Sequence, residues 1–233
     1  RDRARGHRRL RAHYGGRRDL RDHLGRDGDN LTSMATDARP ACRSDVPALA
    51  QALGRAFRDD PVMSWLVPDA GRRAAALPVF FGAVARHHFL AGGGAEVTTD
   101  GSSVGAAALW DPPGQWRQAP RQQIAMMPAV IRAFRGRLGP ARALAEQMKA
   151  VHPSEPHWYL AIIGSDPSLR GNGSGHALMR SRLDRCDAEH APAYLESSNF
   201  DNIAYYHRFG FEVTGEITIP GGPTMWPMWR QPR

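Results

Sequence analysis

An apolar strand that runs into a glycine-rich loop and then into an amphipathic helix limits this chain more than any other feature. Trp158 to Ile163 reads as the strand, and Asp166-Pro167 as the turn that ends it. Gly171, Gly173 and Gly175 follow at every second position. From Gly175 to His190 the apolar Leu178, Leu183 and Cys186 recur with helical spacing. Glycines let the backbone turn tightly and bare its N–H groups. The start of the helix aims its unpaired N–H groups, and the positive end of its dipole, at the same place. Such a place binds phosphate, although a loop of this composition can also do no more than turn the chain. No Gly-Lys-Ser/Thr is present, which excludes a nucleotide-hydrolase phosphate loop. Position 176 is His, not Gly, so the dinucleotide-binding fingerprint fails as well.

Around this unit, helical and extended patterns alternate. Asp45 caps a helix carrying Leu49, Leu53 and Phe57, which Asp59-Asp60-Pro61 ends. A short apolar piece runs from Val62 to Val67, and a second helix from Arg72 to Leu90, with Pro78 marking a kink or a late start. Glu96 to Thr99 and Val104 to Trp110 form a hairpin around Asp100-Gly101. Helices follow over 122–137 and 141–151, then the Trp158 strand, the loop and its helix. Ala193 to Ser197 is a strand, Asn202 to Phe209 a short helix, and Phe211 to Ile219 and Met225 to Arg230 are the last strands. The pattern predicts an α/β domain whose sheet is parallel only where a helix separates two strands.

The charge is unevenly placed. Residues 1–33 hold ten Arg and five Asp and no Ile, Val, Phe or Trp, so they carry +5 of the formal +8. They read as a basic, disordered tail, or as sequence upstream of a true start at Met34, with 34–233 as the folded domain. A basic tail can also bind nucleic acid, which is its alternative role. No apolar segment follows the early arginines and no run has the length of a membrane span, which sets the expectation of a cytoplasmic protein. Cys42 and Cys186 form no disulfide framework, and His87 and His88 are neighbours that diverge on a helix, so no metal site is expected.

The loop is followed at family distance by Asn199-x₆-Tyr206-x₃-Gly210-Phe211. Together these motifs resemble the GNAT superfamily of N-acetyltransferases over about residues 39–233. Within it, Glu155-Pro156-His157-Trp158-Tyr159-Leu160-Ala161, Tyr194-Leu195-Glu196-Ser197-Ser198 and Pro220-Gly221-Gly222-Pro223-Thr224-Met225-Trp226 resemble puromycin N-acetyltransferase and its uncharacterised relatives. The resemblance implies a mixed, splayed central sheet flanked by helices, with acetyl-CoA as co-substrate and a small-molecule amine as acceptor. It implies that Ile163, Gly164 and Ser165 offer backbone groups to the pantetheine arm, with the Ile163 N–H also facing the oxyanion. Arg170, Gly171, Asn172, Gly173, Ser174, Gly175 and His176 then cradle the pyrophosphate, and Asn199 stands near the coenzyme. Tyr206 matches the proton donor to the departing thiolate, and Tyr205 reads as a core aromatic beside it.

Glu196 shares a strand face with Tyr194 and is taken as the general base, with His157 as the alternative. Relatives carry Arg or Lys at Asn172, an aliphatic residue at Ser174 and valine at Ser165, so coenzyme affinity is expected to be weaker here. Trp65, Trp116, Trp226 and Met126-Met127 are available to line the acceptor pocket. The reading is direct transfer to a primary amine, possible as a homodimer. A catalytically silent acyl-CoA-binding regulator is the alternative.

Overall fold

The computed structural model describes residues 37–233 apart from 102 and 170. The tail assigned to residues 1–33 and the loop cation Arg170 lie outside the described residues. In chain order the elements are β1 (Ala38–Pro40), α1 (Val46–Ala56), α2 (Pro61–Leu66), α3 (Ala70–Val84), β2 (Ala95–Asp100), β3 (Ser103–Asp111), α4 (Pro120–Phe134) and α5 (Leu138–Val151). They continue as β4 (Trp158–Ser165), α6 (Ser174–Ala188), β5 (Ala193–Ser197), α7 (Ile203–His207), β6 (Glu212–Val213), β7 (Ile217–Thr218) and β8 (Thr224–Arg230).

The strands form one mixed sheet in the order β1-β2-β3-β4-β5-β8-β6, with β7 also on β8. Among the described residues only β4 and β5 pair in parallel, and α6 is the helix that separates them. This is the pairing that the alternating pattern predicts, because a parallel neighbour needs a long crossover. Alternate residues divide the core between the two faces. Trp110, Trp158, Leu160, Leu195 and Met228 pack under α6 and α7. Leu109, Ala107 and Val97 pack on the other face, under Leu49, Leu53, Leu77 and Phe81 of α1 and α3.

β1 has no counterpart in the sequence pattern, and two further pieces differ from it. The stretch from Val62 is helical, because Asp60 accepts the Met63 N–H at 2.9 Å and Pro61 occupies the first turn. The strand expected over 211–219 is two short pieces, each pairing with β8. Pro78 lies inside α3 and packs on α1 at Gly54, where a Cβ would fall 2.7 Å from the proline Cγ.

Gly94 is the tightest backbone contact. A Cβ there would lie 1.7 Å from the Trp110 carbonyl oxygen, and the Trp110 N–H already donates to the Gly94 carbonyl at 2.8 Å. Backbone cannot rotate away as a side chain can. Gly94→Ala is therefore expected to cost about 1–3 kcal/mol or more, read as a lower urea midpoint at unchanged m.

Candidate active site

The central feature is a gap between β4 and β5. Their parallel pairing covers Trp158 to Leu160 against Ala193 to Leu195 and then stops. At the same level the β3–β4 register skips Ala161: Leu109 faces Ile162 and Trp110 faces Leu160. This bulge resets the alternation of the strand. Before it, the Trp158 N–H donates toward β5, to Pro192; after it, the Asp166 N–H donates toward β3, to Gly105. Counting back by twos, Gly164 and Ile162 also face β3. The backbone groups of Ile163 and Ser165 therefore face the gap. Gly164 is needed for packing instead, since a Cβ there would sit 2.8 Å from Ala56 Cβ of α1.

Beyond the gap, the glycine loop opens onto α6. Gly171 and Gly173 have φ of 89° and 86°, in the left-handed region that L side chains rarely adopt. Nothing lies within 4 Å of a Cβ built at either. The Asn172 Oδ1 accepts the Ser174 N–H at 3.0 Å, which fixes the turn into the helix. Two arginine bridges hold α6 to the sheet: Arg182 to Glu96 of β2 at 2.8 Å, and Arg230 of β8 to both Asp187 oxygens at 2.8 and 2.7 Å. The helix start is thereby fixed relative to the gap.

A cavity of about 730 Å³ joins these parts. Ile163 and Ser165, Gly171 to His176, Tyr205 and Tyr206 lie on its wall with Arg180, Arg208, Arg230 and Arg233; Asp184 and Asp187 of the same wall pair with Arg180 and Arg230, so the cationic excess is two. An open, glycine-floored cradle at a helix start, with cations beside it, fits a pyrophosphate. Tyr206 is buried, and its phenol pKa is raised by burial first and then by Tyr205 and Asp60. Tyr205 packs against the core on Tyr206 and Phe209, as expected, and also reaches the cavity wall. Its Oη has no hydrogen-bond partner among the described residues and lies 3.0 Å from a Cβ built on Gly175. Burial pushes its pKa up to about 12.

Glu196 follows the last β4–β5 pair by one residue and points to the opposite face of the sheet from Leu195. It is not on the cavity wall. Its carboxylate is only 2% exposed and lies 3.8 Å from Nδ1 of His152, itself 3% exposed. The phenols of Tyr159 and Tyr194 are both raised in pKa by burial and then by the Glu196 charge. Further along the same face, His88 Nε2 lies 2.7 Å from Asp111 Oδ1, with both side chains buried.

The gap, the left-handed glycine turns and the tyrosines lie inside the stretch that a family model recognises: residues 51–211 match the Acetyltransferase (GNAT) family. The chain belongs to this family. A solved structure from Corynebacterium glutamicum, described as histone acetyltransferase HPA2 and related acetyltransferase, is 27% identical with a TM-score of 0.65, covering 86% of this chain and 98% of its own. The Drosophila melanogaster polyamine N-acetyltransferase shares the fold at 14% identity and TM-score 0.54, over 83% of this chain and 98% of its own. An uncharacterised N-acetyltransferase of Schizosaccharomyces pombe is 36% identical over 62 residues, 27% of this chain and 25% of that protein. The match thus spans a quarter of that relative's length.

Asn199, expected to stand near the coenzyme, is not on the cavity wall itself. Its Oδ1 accepts the Asp201 N–H at 3.0 Å, and Asn202 lines the cavity instead. The amide nitrogen of Asn199 is left to donate. The aromatic residues expected around the acceptor have other contacts. Trp116 stacks on His152 at 3.9 Å between centroids, Trp65 lies under Arg137, and Met126 is buried with α3. Trp226 meets the exposed Phe200. No described helix is long and apolar enough to cross a membrane.

Proposed function

We propose that the chain transfers the acetyl group of acetyl-CoA directly to a primary amine. The observation that carries this reading is the gap between β4 and β5, flanked by Glu196 at its apex and opening onto the wall that holds Tyr206 and the glycine cradle. Gly171 to His176 bind the pyrophosphate through backbone N–H groups, and Ile163 and Ser165 offer theirs to the pantetheine arm. The N–H of Ile163 stabilises the oxyanion of the tetrahedral intermediate. Glu196 takes the proton of the acceptor ammonium, directly or through a water. Tyr206 returns a proton to the departing thiolate.

A covalent acetyl-enzyme has no support. Cys186 is buried and its thiol is pushed up to about 12 by burial, so it does not supply a thiolate. Cys42 lies outside the cavity, beside Ser44 and Asp45. The carboxylate of Glu196 is bordered by Tyr159, Tyr194 and His152. Rings around a carboxylate suit a cationic amine, which gains from ring faces as well as from the charge.

Release of free coenzyme A thiol from acetyl-CoA, measured with aminonucleosides, polyamines, aminoglycosides and peptide N-termini, tests the reading. Amine-dependent release is expected from at least one class. Tight acetyl-CoA binding with no release from any of them would favour the silent regulator.

A further inference from the structure

Three polar side chains from three segments meet behind the gap. Glu196 comes from β5, His152 from the residue after α5, and His157 from the residue before β4. His157 Nδ1 lies 2.5 Å from the Glu155 carbonyl, and its Nε2 lies 3.1 Å from His152 Nε2. A carbonyl only accepts, so His157 Nδ1 carries the hydrogen. Burial holds His157 below its ordinary pKa, outweighing its bond to the Glu155 carbonyl and the charge of Glu196, which act the other way. His157 is then neutral and its Nε2 is an acceptor. His152 must donate to it from Nε2. That leaves His152 Nδ1 as the nitrogen facing Glu196, 3.8 Å from Oε1. In neutral His152, Nδ1 is a bare lone pair, so a carboxylate and a lone pair confront each other in a buried place. That lone pair is where a proton reaching Glu196 can go.

We propose that His152 is a positioning residue for acetyl transfer, holding the proton that Glu196 removes from the acceptor amine. The proposal rests on Glu196 being the base. Glu196 accepts a proton from the ammonium, leaving a free amine, and passes it to His152 Nδ1. Glu196 is again a carboxylate and His152 an imidazolium. The second proton lost by nitrogen, after attack on the thioester, replaces the one Tyr206 gives to the thiolate. One proton per turnover then leaves from His152, as the conversion of ammonium and thioester to amide and thiol requires.

The surroundings favour this. The face of Trp116 lies 3.9 Å from the His152 ring centroid, with 33° between planes, and ring faces attract cations. Glu196 and, further off, Asp111 supply negative charge. The His157 Nε2 lone pair accepts from its far nitrogen, whereas Arg117, over the outer ring of Trp116, opposes it. Tyr159 and Tyr194 stay neutral, because burial and the Glu196 charge raise both phenols.

Nitrogen-15 NMR of histidine-labelled full-length protein reads the tautomers without any turnover. His157 is expected to carry its hydrogen on Nδ1 and His152 on Nε2, and Glu196→Gln is expected to move the His152 Nδ1 signal. A His152 protonated on Nδ1 alone, or indifferent to Glu196→Gln, overturns the proposal. In kinetics, His152→Asn puts an amide at the Nδ1 position that cannot take up a proton. It is expected to lower kcat about tenfold or more, at unchanged KM for acetyl-CoA, and to change the acid limb of the pH profile. Full turnover by Glu196→Gln would defeat the base reading, and the relay with it. An inactive Glu196→Gln beside a His152→Asn with native kcat and pH profile would defeat the relay alone. If His152→Asn does not fold, the tautomer measurement decides.

Discussion

Tyr206→Phe is expected to lower kcat by about 10²–10⁴-fold, the usual range for loss of a positioned general acid. KM for acetyl-CoA should change little, because the ring that packs beside Phe209 and Phe211 remains. Sequence motifs suggest a phenol near its ordinary pKa, matched to a thiolate. The structure alters this. Burial, then Tyr205 and Asp60, raise Tyr206 well above that value, so the proton is held firmly and a tyrosinate is costly. Donation must then be coupled to the return of a proton from the acetylated nitrogen. Tyr205→Phe is the comparison. Its hydroxyl lies at Gly175 and so at the cradle, and its loss should raise KM for acetyl-CoA a few-fold and spare kcat. A transition-state contact lowers kcat and kcat/KM together, whereas uniform binding moves KM alone. Equal behaviour of the two variants under rate-limiting chemistry would remove Tyr206 as the acid.

What the chain declared and what it concealed divide along physical lines. The β4–loop–α6 unit was legible because each part is local: an apolar run, positive-φ glycines and a helical stripe lie consecutively in sequence. The β4–β5 pair is parallel across α6, but β3 and β4 pair antiparallel across α4 and α5, so an intervening helix permits a parallel pair without dictating it. β1 was missed because three residues, Ala38–Pro40, carry no usable period and are held by pairing with β2. Val62 to Leu66 was too short for a helical period to show, and the Asp60 cap only became visible through the bond it makes. Alternation correctly placed Tyr194 and Glu196 on one face. It could not say what covers that face. His152 and His157 reach Glu196 only because α5 ends where β4 begins, and that is tertiary placement. Tyr205 packs as expected, but its place on the cavity wall was hidden for the same reason. The family spacing selects one tyrosine of the pair, whereas the cavity wall takes both.

Gly173→Asp is expected to abolish the thermal shift caused by acetyl-CoA. A ligand that binds only the folded state at about 100 times its Kd adds about 2.7 kcal/mol. At roughly 2–4 °C per kcal/mol for a chain of this size, the unmodified protein should gain about 5–10 °C. Gly173 precedes Ser174, the first residue of α6, and has φ of 86°. No atom lies within 4 Å of the position its Cβ would take, so the new side chain would have room and would point into the cradle. Its carboxylate would then stand where a pyrophosphate binds, in repulsion with it and in competition for the helix N–H groups. Asp tolerates the left-handed region better than most residues, so the variant should fold. Gly173→Ala separates charge from backbone strain. It carries the strain and a single methyl, and should lower the melting temperature without ligand while keeping part of the shift. A Gly173→Asp protein that folds and still shows the full shift would move the coenzyme away from this loop, and the phosphate-binding reading of the glycine turns would fail with it.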